Sequence, residues 1–360
     1  MGHQASISVS SCKKMLDQDE LERSDEDLYE HFRFKADPGQ EIIRVDKFLL
    51  DRLSNTSRSK IQTAAKNGTV HVNGAIIKQN YKVKPGDEVA IVLPYPIRQL
   101  ELIPQDIPLS IVFEDDELIV VNKPANMVVH PGYGHYSGTL VNALVHHFGN
   151  LPELNEEYYG RPGLVHRIDK HTTGLLVIAK TERALNKLAK QFYDKTTERK
   201  YQTLVWGDVK KDGTVNAHLG RSPKNRKMMT AFPQGETGKH AVTHYRVLER
   251  FGYATLLECQ LETGRTHQIR VHMKHIGHPV FNDLEYGGNK LLFGHPSQSY
   301  QRFITNCLSL LPGQALHAAT LGFKHPATNE YLVFSSPVPD EFALLVNKWR
   351  EFISGKHLFE

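Results

Sequence analysis

Residues 163–180 read Gly163-Leu164-Val165-His166-Arg167-Ile168-Asp169-Lys170-His171-Thr172-Thr173-Gly174-Leu175-Leu176-Val177-Ile178-Ala179-Lys180, and this stretch decides how the rest is read. Two apolar runs, Gly163 to Val165 and Leu175 to Ala179, flank a polar knot. Short β-branched runs bounded by a turn predict two buried strands. The knot holds Asp169 at the mouth of a sheet, with Arg167 two residues before it and Lys170 one after. One reading is a charged hairpin turn in which Asp169 bonds the backbone of the following threonines. The other is a reactive carboxylate on a constrained loop. On these residues alone the two readings stand level.

Outward from this stretch the chain alternates strands and helices. Thr181 is placed to cap a helix with Ala184, Leu185, Leu188, Ala189 and Phe192 on its core face. Lys195 to Gly207 reads as a basic turn entering a strand that carries Tyr201. Upstream, Ile111 to Pro124 predicts two strands joined by an acidic turn, and Val141 to Phe148 a helix. The Gly-rich segment Val128 to Leu140 lacks both a Gly-Lys-Ser/Thr end and GxGxxG spacing, which excludes a phosphate loop. Downstream, residues 221–230 (RSPKNRKMMT) form a basic loop expected to face a polyanion.

The cluster Leu261 to Pro279 raises the question of a metal, with histidines at 267, 272, 275 and 278. Arg265, Arg270 and Lys274 interleave with them, and fixed cations repel a divalent ion. No metal site and no cofactor are expected. Gly264 before a short cationic helix suggests an anion site instead.

Residues 36–97 predict a separate module. Arg44 to Leu53 has helical apolar spacing, and Ser57 can cap a second helix, Arg58 to Lys66, that Asn67-Gly68 ends. Thr69 to Gly74 and Val83 to Val92 read as a strand and turn and as a turn into a strand. Arg44, Lys47, Arg52, Arg58, Lys60 and Lys66 are expected on one exposed face, the footprint of phosphate-backbone binding. SRSKIQTAAKNGTVHVNG followed by KVKPGDEV resembles the S4 RNA-binding domain over about 60 residues, which implies docking on structured RNA.

Charge and composition bound the setting. Lys and Arg exceed Asp and Glu by only 44 to 40, but residues 17–27 hold seven carboxylates and one arginine. The remainder is therefore basic, as suits a polyanionic partner. Residues 1–35 lack hydrophobic periodicity and read as an acidic, disordered or loosely attached arm. Residues 98–108 read as a proline-rich linker, 109–350 as a catalytic domain, and 351–360 as a tail. Cys12, Cys259 and Cys307 form no CxxC pair, which favours a reducing compartment, the cytoplasm. No apolar run is long enough to span a membrane and no secretory leader is apparent.

HRIDKHTTGLLVIAK, ERKYQTLVWG, AVTHYRVLE and LETGRTHQIRVHMKHIGHPVFND, in that order, resemble the RluA family of pseudouridine synthases. The resemblance covers about residues 40 to 350; Ile168 stands where the family often has Leu, and the acidic arm is outside its pattern. It implies an α+β fold, with a mixed, mostly antiparallel sheet flanked by helices behind the small S4-like α/β module. It implies an isomerase that turns uridine in RNA into pseudouridine, with Asp169 as nucleophile and Arg270 as its fixed counter-ion. It gives Tyr201 a stacking and proton-removal role, and Arg167 the place vacated by a flipped base. His166, Arg265 and His267 are expected to contact phosphate or base. The motifs are equally compatible with attack on the ribose, attack on the base ring and a glycal route.

The partner implied is structured RNA, large-subunit (23S-type) ribosomal RNA or a ribosome precursor foremost, acted on by a monomer. A binding protein that kept the fold without chemistry is the competing class, and a metal-dependent nucleotide hydrolase the third. Asp169, Tyr201 and Arg270 together favour the isomerase.

Overall fold

The computed structural model describes residues 29–53, 58–93, 102–132, 135–149, 151–152, 162–223, 225, 228–235, 237–295 and 297–356. Two compact units divide the chain, Met1–Gln99 and Leu100–Glu360. The acidic run 17–27, the capping Ser57, Cys12 and the cations Lys224, Arg226 and Lys227 lie outside the described residues.

In the first unit the elements run β1 (Tyr29–Lys35), β2 (Ile43–Arg44), α1 (Val45–Leu50), α2 (Arg58–Lys66), β3 (Val70–Val72), β4 (Ala75–Ile76), β5 (Lys82–Val83) and β6 (Glu88–Leu93). Strands pair in the order β1-β6-β3-β4, and β2 pairs β5. Val45, Phe48, Leu49 and Ile61 from the helices pack on Val70, Val72, Val83 and Val89 to make the core. β1 corrects the expectation of a loose arm through residue 35: Tyr29–Lys35 runs antiparallel to β6. The alternation in FRFK is short, and the acidic run before it masked the strand.

The second unit contains β7 (Ile111–Glu114), β8 (Leu118–Lys123), α3 (Leu140–Phe148), β9 (Thr173–Ala179), α4 (Glu182–Tyr193), β10 (Glu198–Trp206), β11 (Gly213–Arg221), β12 (Met229–Phe232), β13 (Lys239–Arg250), β14 (Ala254–Leu261), α5 (Gln268–His275), α6 (Gln298–Leu308), β15 (Leu316–Lys324), β16 (Tyr331–Ser335) and α7 (Asp340–Lys356). One sheet runs β12-β11-β13-β14-β10-β15-β9-β8-β7, with β16 also on β15. The β15–β9 pairing is parallel and the others are antiparallel, as expected for the α+β class.

Every residue of β9 is buried, because both of its faces are covered. Leu175, Val177 and Ala179 meet Ala184, Leu185 and Leu188 of α4. Leu176 and Ile178 join Leu140, Val141 and Leu144 of α3 beneath the cleft. Thr181 caps α4 by accepting from the Ala184 N–H, and truncating Leu188 to alanine is expected to cost about 2–5 kcal/mol.

Three boundaries differ from the sequence reading. Gly163 to Val165 is not a strand: Leu164 makes one isolated antiparallel bridge with Ile178. The next backbone donor of β9, the Val177 N–H, goes instead to His166 Nε2 at 3.0 Å, which stops the ladder. Residues 102–108 are tied to the catalytic unit, since Asn142 donates to the Ile103 carbonyl at 2.8 Å and accepts from the Gln105 N–H through its own carbonyl at 3.1 Å. The tail expected from 351 begins later, because α7 continues to Lys356 and packs Phe352 and Ile353 beside Trp349. No helix among the described residues is long and apolar enough to cross a membrane.

Candidate active site

The loop between Leu164 and β9 is fastened from below. Lys123, 1% exposed, ends β8 and donates through Nζ to the carbonyls of Pro124 (2.7 Å), Met127 (2.9 Å) and Lys170 (3.1 Å). These three acceptors use all the N–H bonds of an ammonium. Burial pushes the Lys123 amine down to about 7, and the nearby Asp169 charge acts against that shift. Thr173 and Gly174 pair with His317 and Ala318 of β15 in parallel register. A Cβ on Gly174 would sit 2.3 Å from the Ala318 carbonyl oxygen, so only glycine lets the two strands meet there. His317 fixes the same corner: its Nδ1 is 2.8 Å from Thr173 Oγ1, and its Nε2 is 3.1 Å from the Ser336 carbonyl.

Opposite this loop, α5 is anchored by Gln268. Its Oε1 accepts from Thr263 Oγ1 at 2.7 Å and from the Arg265 N–H at 3.0 Å, while Nε2 donates to the Val242 carbonyl at 2.9 Å. Arg270 then projects toward the loop, 4% exposed. Its Nη1 donates to Asp169 Oδ2 at 3.0 Å. Nε and Nη2 donate to the two oxygens of Asp283 at 2.7 and 2.9 Å, and Nη2 also reaches Glu285 Oε2 at 2.5 Å. Burial opposes the guanidinium charge, but the Asp283 hydrogen bonds and the Asp169 and Glu285 charges outweigh it and raise its pKa. The bidentate grip therefore falls on Asp283, and Asp169 receives one N–H.

Tyr201 lies inward on β10, 8% exposed. Burial raises its pKa, with Arg199 opposing and Asp169 assisting, so at neutral pH it is a phenol. His267 enters α5 with φ 55°, a left-handed conformation unusual outside glycine. Its Nε2 stands 3.7 Å from Asp169 Oδ1, and Nδ1 is 2.9 Å from the Tyr286 hydroxyl. Burial keeps it neutral against the pull of the Asp169 charge. His166 is committed to the fold: Nε2 accepts from Val177, the ring stacks on Phe192 with centroids 4.5 Å apart, and burial lowers its pKa to about 3. Arg167 is exposed beside His130, Nη1 to Nε2 3.2 Å, and Arg265 donates through Nε to the His240 carbonyl at 3.2 Å.

These side chains line one cavity of about 700 Å³. Its wall carries Arg167, Lys195, Arg199, Arg265 and Arg270 against Asp169 and Glu262, a field that favours a polyanion. Asp169, Tyr201, Arg270, Arg167, His166, Arg265 and His267 all line the cavity. The sequence reading missed Asp283, Glu285, Tyr286, Lys123 and Arg199. The period-2 alternation of β10, which places Arg199 on the same face as Tyr201, could have found the last of them.

In the first unit the six cations are not equivalent. Asp46 is 0% exposed and accepts from Arg44 (3.1 and 3.0 Å), Arg58 (2.9 Å) and Gln62 (2.6 Å). Arg44 foremost holds its carboxyl well below the usual range. Arg58 and Gln62 therefore clamp α2 to α1 through Asp46, and Arg44 at the end of β2 holds the same carboxylate. Arg52 lies over the Phe48 ring at 3.8 Å and donates to Gln40 at 3.1 Å. Lys47 and Lys66 are exposed, and the Lys60 side chain lies outside the described ones.

The pattern of the RNA pseudouridylate synthase family matches residues 117–275, and that of the S4 domain residues 43–89. A protein of Chlorobaculum parvum named as an uncharacterized RNA pseudouridine synthase is 45% identical over 320 residues, 88% of this chain and 97% of its own. Ribosomal large subunit pseudouridine synthase D of Nitrosomonas europaea is 43% identical over 86% of this chain and 85% of its own. Among solved structures, human RNA pseudouridylate synthase domain containing 4 is similar with a TM-score of 0.50 at 25% identity, over 67% of this chain and 93% of its own.

Proposed function

The chain belongs to the RNA pseudouridine synthases, with an S4 domain ahead of its catalytic unit, and from that premise we propose that it isomerises uridines of large-subunit ribosomal RNA with Asp169 as the nucleophile. The observation that carries this is the 3.0 Å bond from Arg270 Nη1 to Asp169 Oδ2 inside a cation-lined cavity that Tyr201 also walls. The guanidinium donates to the carboxylate and aims it, as a nucleophile requires. Relatives named for the ribosomal large subunit support the RNA class.

The reaction breaks the C1′–N1 bond, turns the uracil, and forms C1′–C5. The C5 proton leaves and N1 gains one, so no redox partner is needed. The target must leave its stack to reach Asp169, and Arg167 at the rim fits the gap it leaves. Tyr201 offers a ring face to the base, and its phenol a hydrogen bond near C5. The S4 unit docks the RNA through its shape and phosphates. A monomer in the cytoplasm completes the assignment, and the buried free thiols Cys259 and Cys307 suit that compartment.

Mapping pseudouridines in RNA from cells lacking the protein tests this. One or more sites in large-subunit ribosomal RNA should disappear and return with the wild type but not with Asp169→Asn. An unchanged map, or restoration by Asp169→Asn, contradicts it.

A further inference from the structure

Alternation on β10 puts Arg199 two residues before Tyr201 on the same face, and both line the cavity that holds Asp169. Arg199 is 7% exposed. Its neighbours Glu198 and Lys200 pair with each other at 2.5 Å. Arg199 has no such arrangement. Among the described residues no carboxylate and no hydrogen-bond acceptor meets its guanidinium, and Nε is sealed from solvent without a partner. Its neighbours are the Phe192 ring, centred 5.6 Å from the guanidinium carbon, and Gly264. A Cβ on Gly264 would come within 2.9 Å of Nη1, so the glycine leaves room for the guanidinium itself.

A buried cation without a counter-charge is costly, and chains ordinarily supply one. Within the same cavity Arg270 has three carboxylates and Arg199 has none. The difference marks Arg270 as complete and Arg199 as awaiting an anion. A uracil carbonyl carries only a partial charge. A nucleotide turned out of its stack brings a full one with its phosphodiester, and a guanidinium fork matches phosphate oxygens.

We propose that Arg199 is a substrate-binding residue that receives a phosphodiester oxygen beside the target uridine. This rests on the assignment of the Asp169 cavity to uridine isomerisation. Arg199 then sets how deeply the flipped nucleotide enters, and so how its base lies against Tyr201.

The test uses the full chain and an oligoribonucleotide carrying the mapped target uridine, tritiated at C5, with either flanking phosphodiester replaced by an uncharged methylphosphonate. Tritium release is followed under single-turnover conditions. Arg199→Gln should lose about ten- to a hundredfold, the range of a charge-assisted hydrogen bond. A methylphosphonate at one flanking position should cost the wild type a similar factor and the variant little more. Arg199→Lys, which keeps the charge, should show an intermediate loss with the same coupling, and it replaces Arg199→Gln in the cycle should that variant fail to fold. Losses that multiply at both positions, with an active wild type, overturn the Arg199 assignment alone. Absence of tritium release by the wild type from the unmodified oligonucleotide overturns the isomerase assignment and this one with it.

Discussion

Arg270 gives its two-toothed grip to Asp283, at 2.7 and 2.9 Å, and spares one N–H, Nη1, for Asp169 at 3.0 Å. Asp283 is 0% exposed and also accepts from the backbone N–H groups of Glu285 and Tyr286, both at 3.0 Å. It is thus the fixed support from which the guanidinium reaches the Asp169 carboxylate.

Asp283→Asn is expected to lower the single-turnover rate about ten- to a hundredfold and stability by about 1–3 kcal/mol, with RNA affinity little changed. Asparagine keeps an acceptor but cannot hold both Nε and Nη2. Rates and affinities measured on the same RNA check this; an unchanged rate would show that Asp283 does not position Arg270.

Lys123→Met should loosen the Asp169 loop. Methionine matches the stem but leaves the carbonyls of Pro124, Met127 and Lys170 without their donor. A loss of about 2–4 kcal/mol in urea unfolding is expected. Turnover should fall at temperatures where the fold is intact by circular dichroism. Full turnover in the folded variant would remove Lys123 from the support of the loop.

His166 gives a pH dependence with a definite sign. Its folded pKa of about 3 lies below the ordinary 6.5, so between those values the unfolded chain binds the extra proton. The stability it contributes is complete above 6.5 and is lost as pH falls toward 3, by up to about 1.4 kcal/mol per pH unit. Protonation would turn Nε2 into a donor facing the Val177 N–H. Urea unfolding of the wild type and His166→Gln at several pH values between 7 and 4 should show a steeper acid loss in the wild type; parallel curves would contradict the assignment.

In the S4 unit, Lys47 and Lys66 are exposed to an incoming phosphate, whereas Arg44 and Arg58 are occupied by Asp46. Substituting both lysines by glutamine in the full chain should reduce the slope of log K against log salt by about two. An unchanged slope would place the docking surface elsewhere.

Much of this site was legible in the sequence because its residues lie within two short motifs. The loop around Asp169 and the GRTHQIR segment announce themselves by charge between apolar runs. Asp283 and Glu285 were not legible, since acidic residues in a turn 13 and 15 positions after Arg270 look like solvated polar groups until the fold brings them back. His166 appeared to be a binding residue because nothing local shows that its ring would take the Val177 N–H. The cations of the first unit looked alike until Asp46, one residue in a helical pattern, proved fully buried and claimed two of them. The His166–Val177 and Arg58–Asp46 bonds are tertiary, and no local pattern encodes them.

The most direct measurement is tritium release from RNA labelled at uridine C5, comparing the wild type with Asp169→Asn at enzyme in excess of RNA. The central claim predicts release by the wild type at the mapped site, none by the variant, and RNA affinity within a few-fold of wild type. Release by Asp169→Asn at a comparable rate would contradict it.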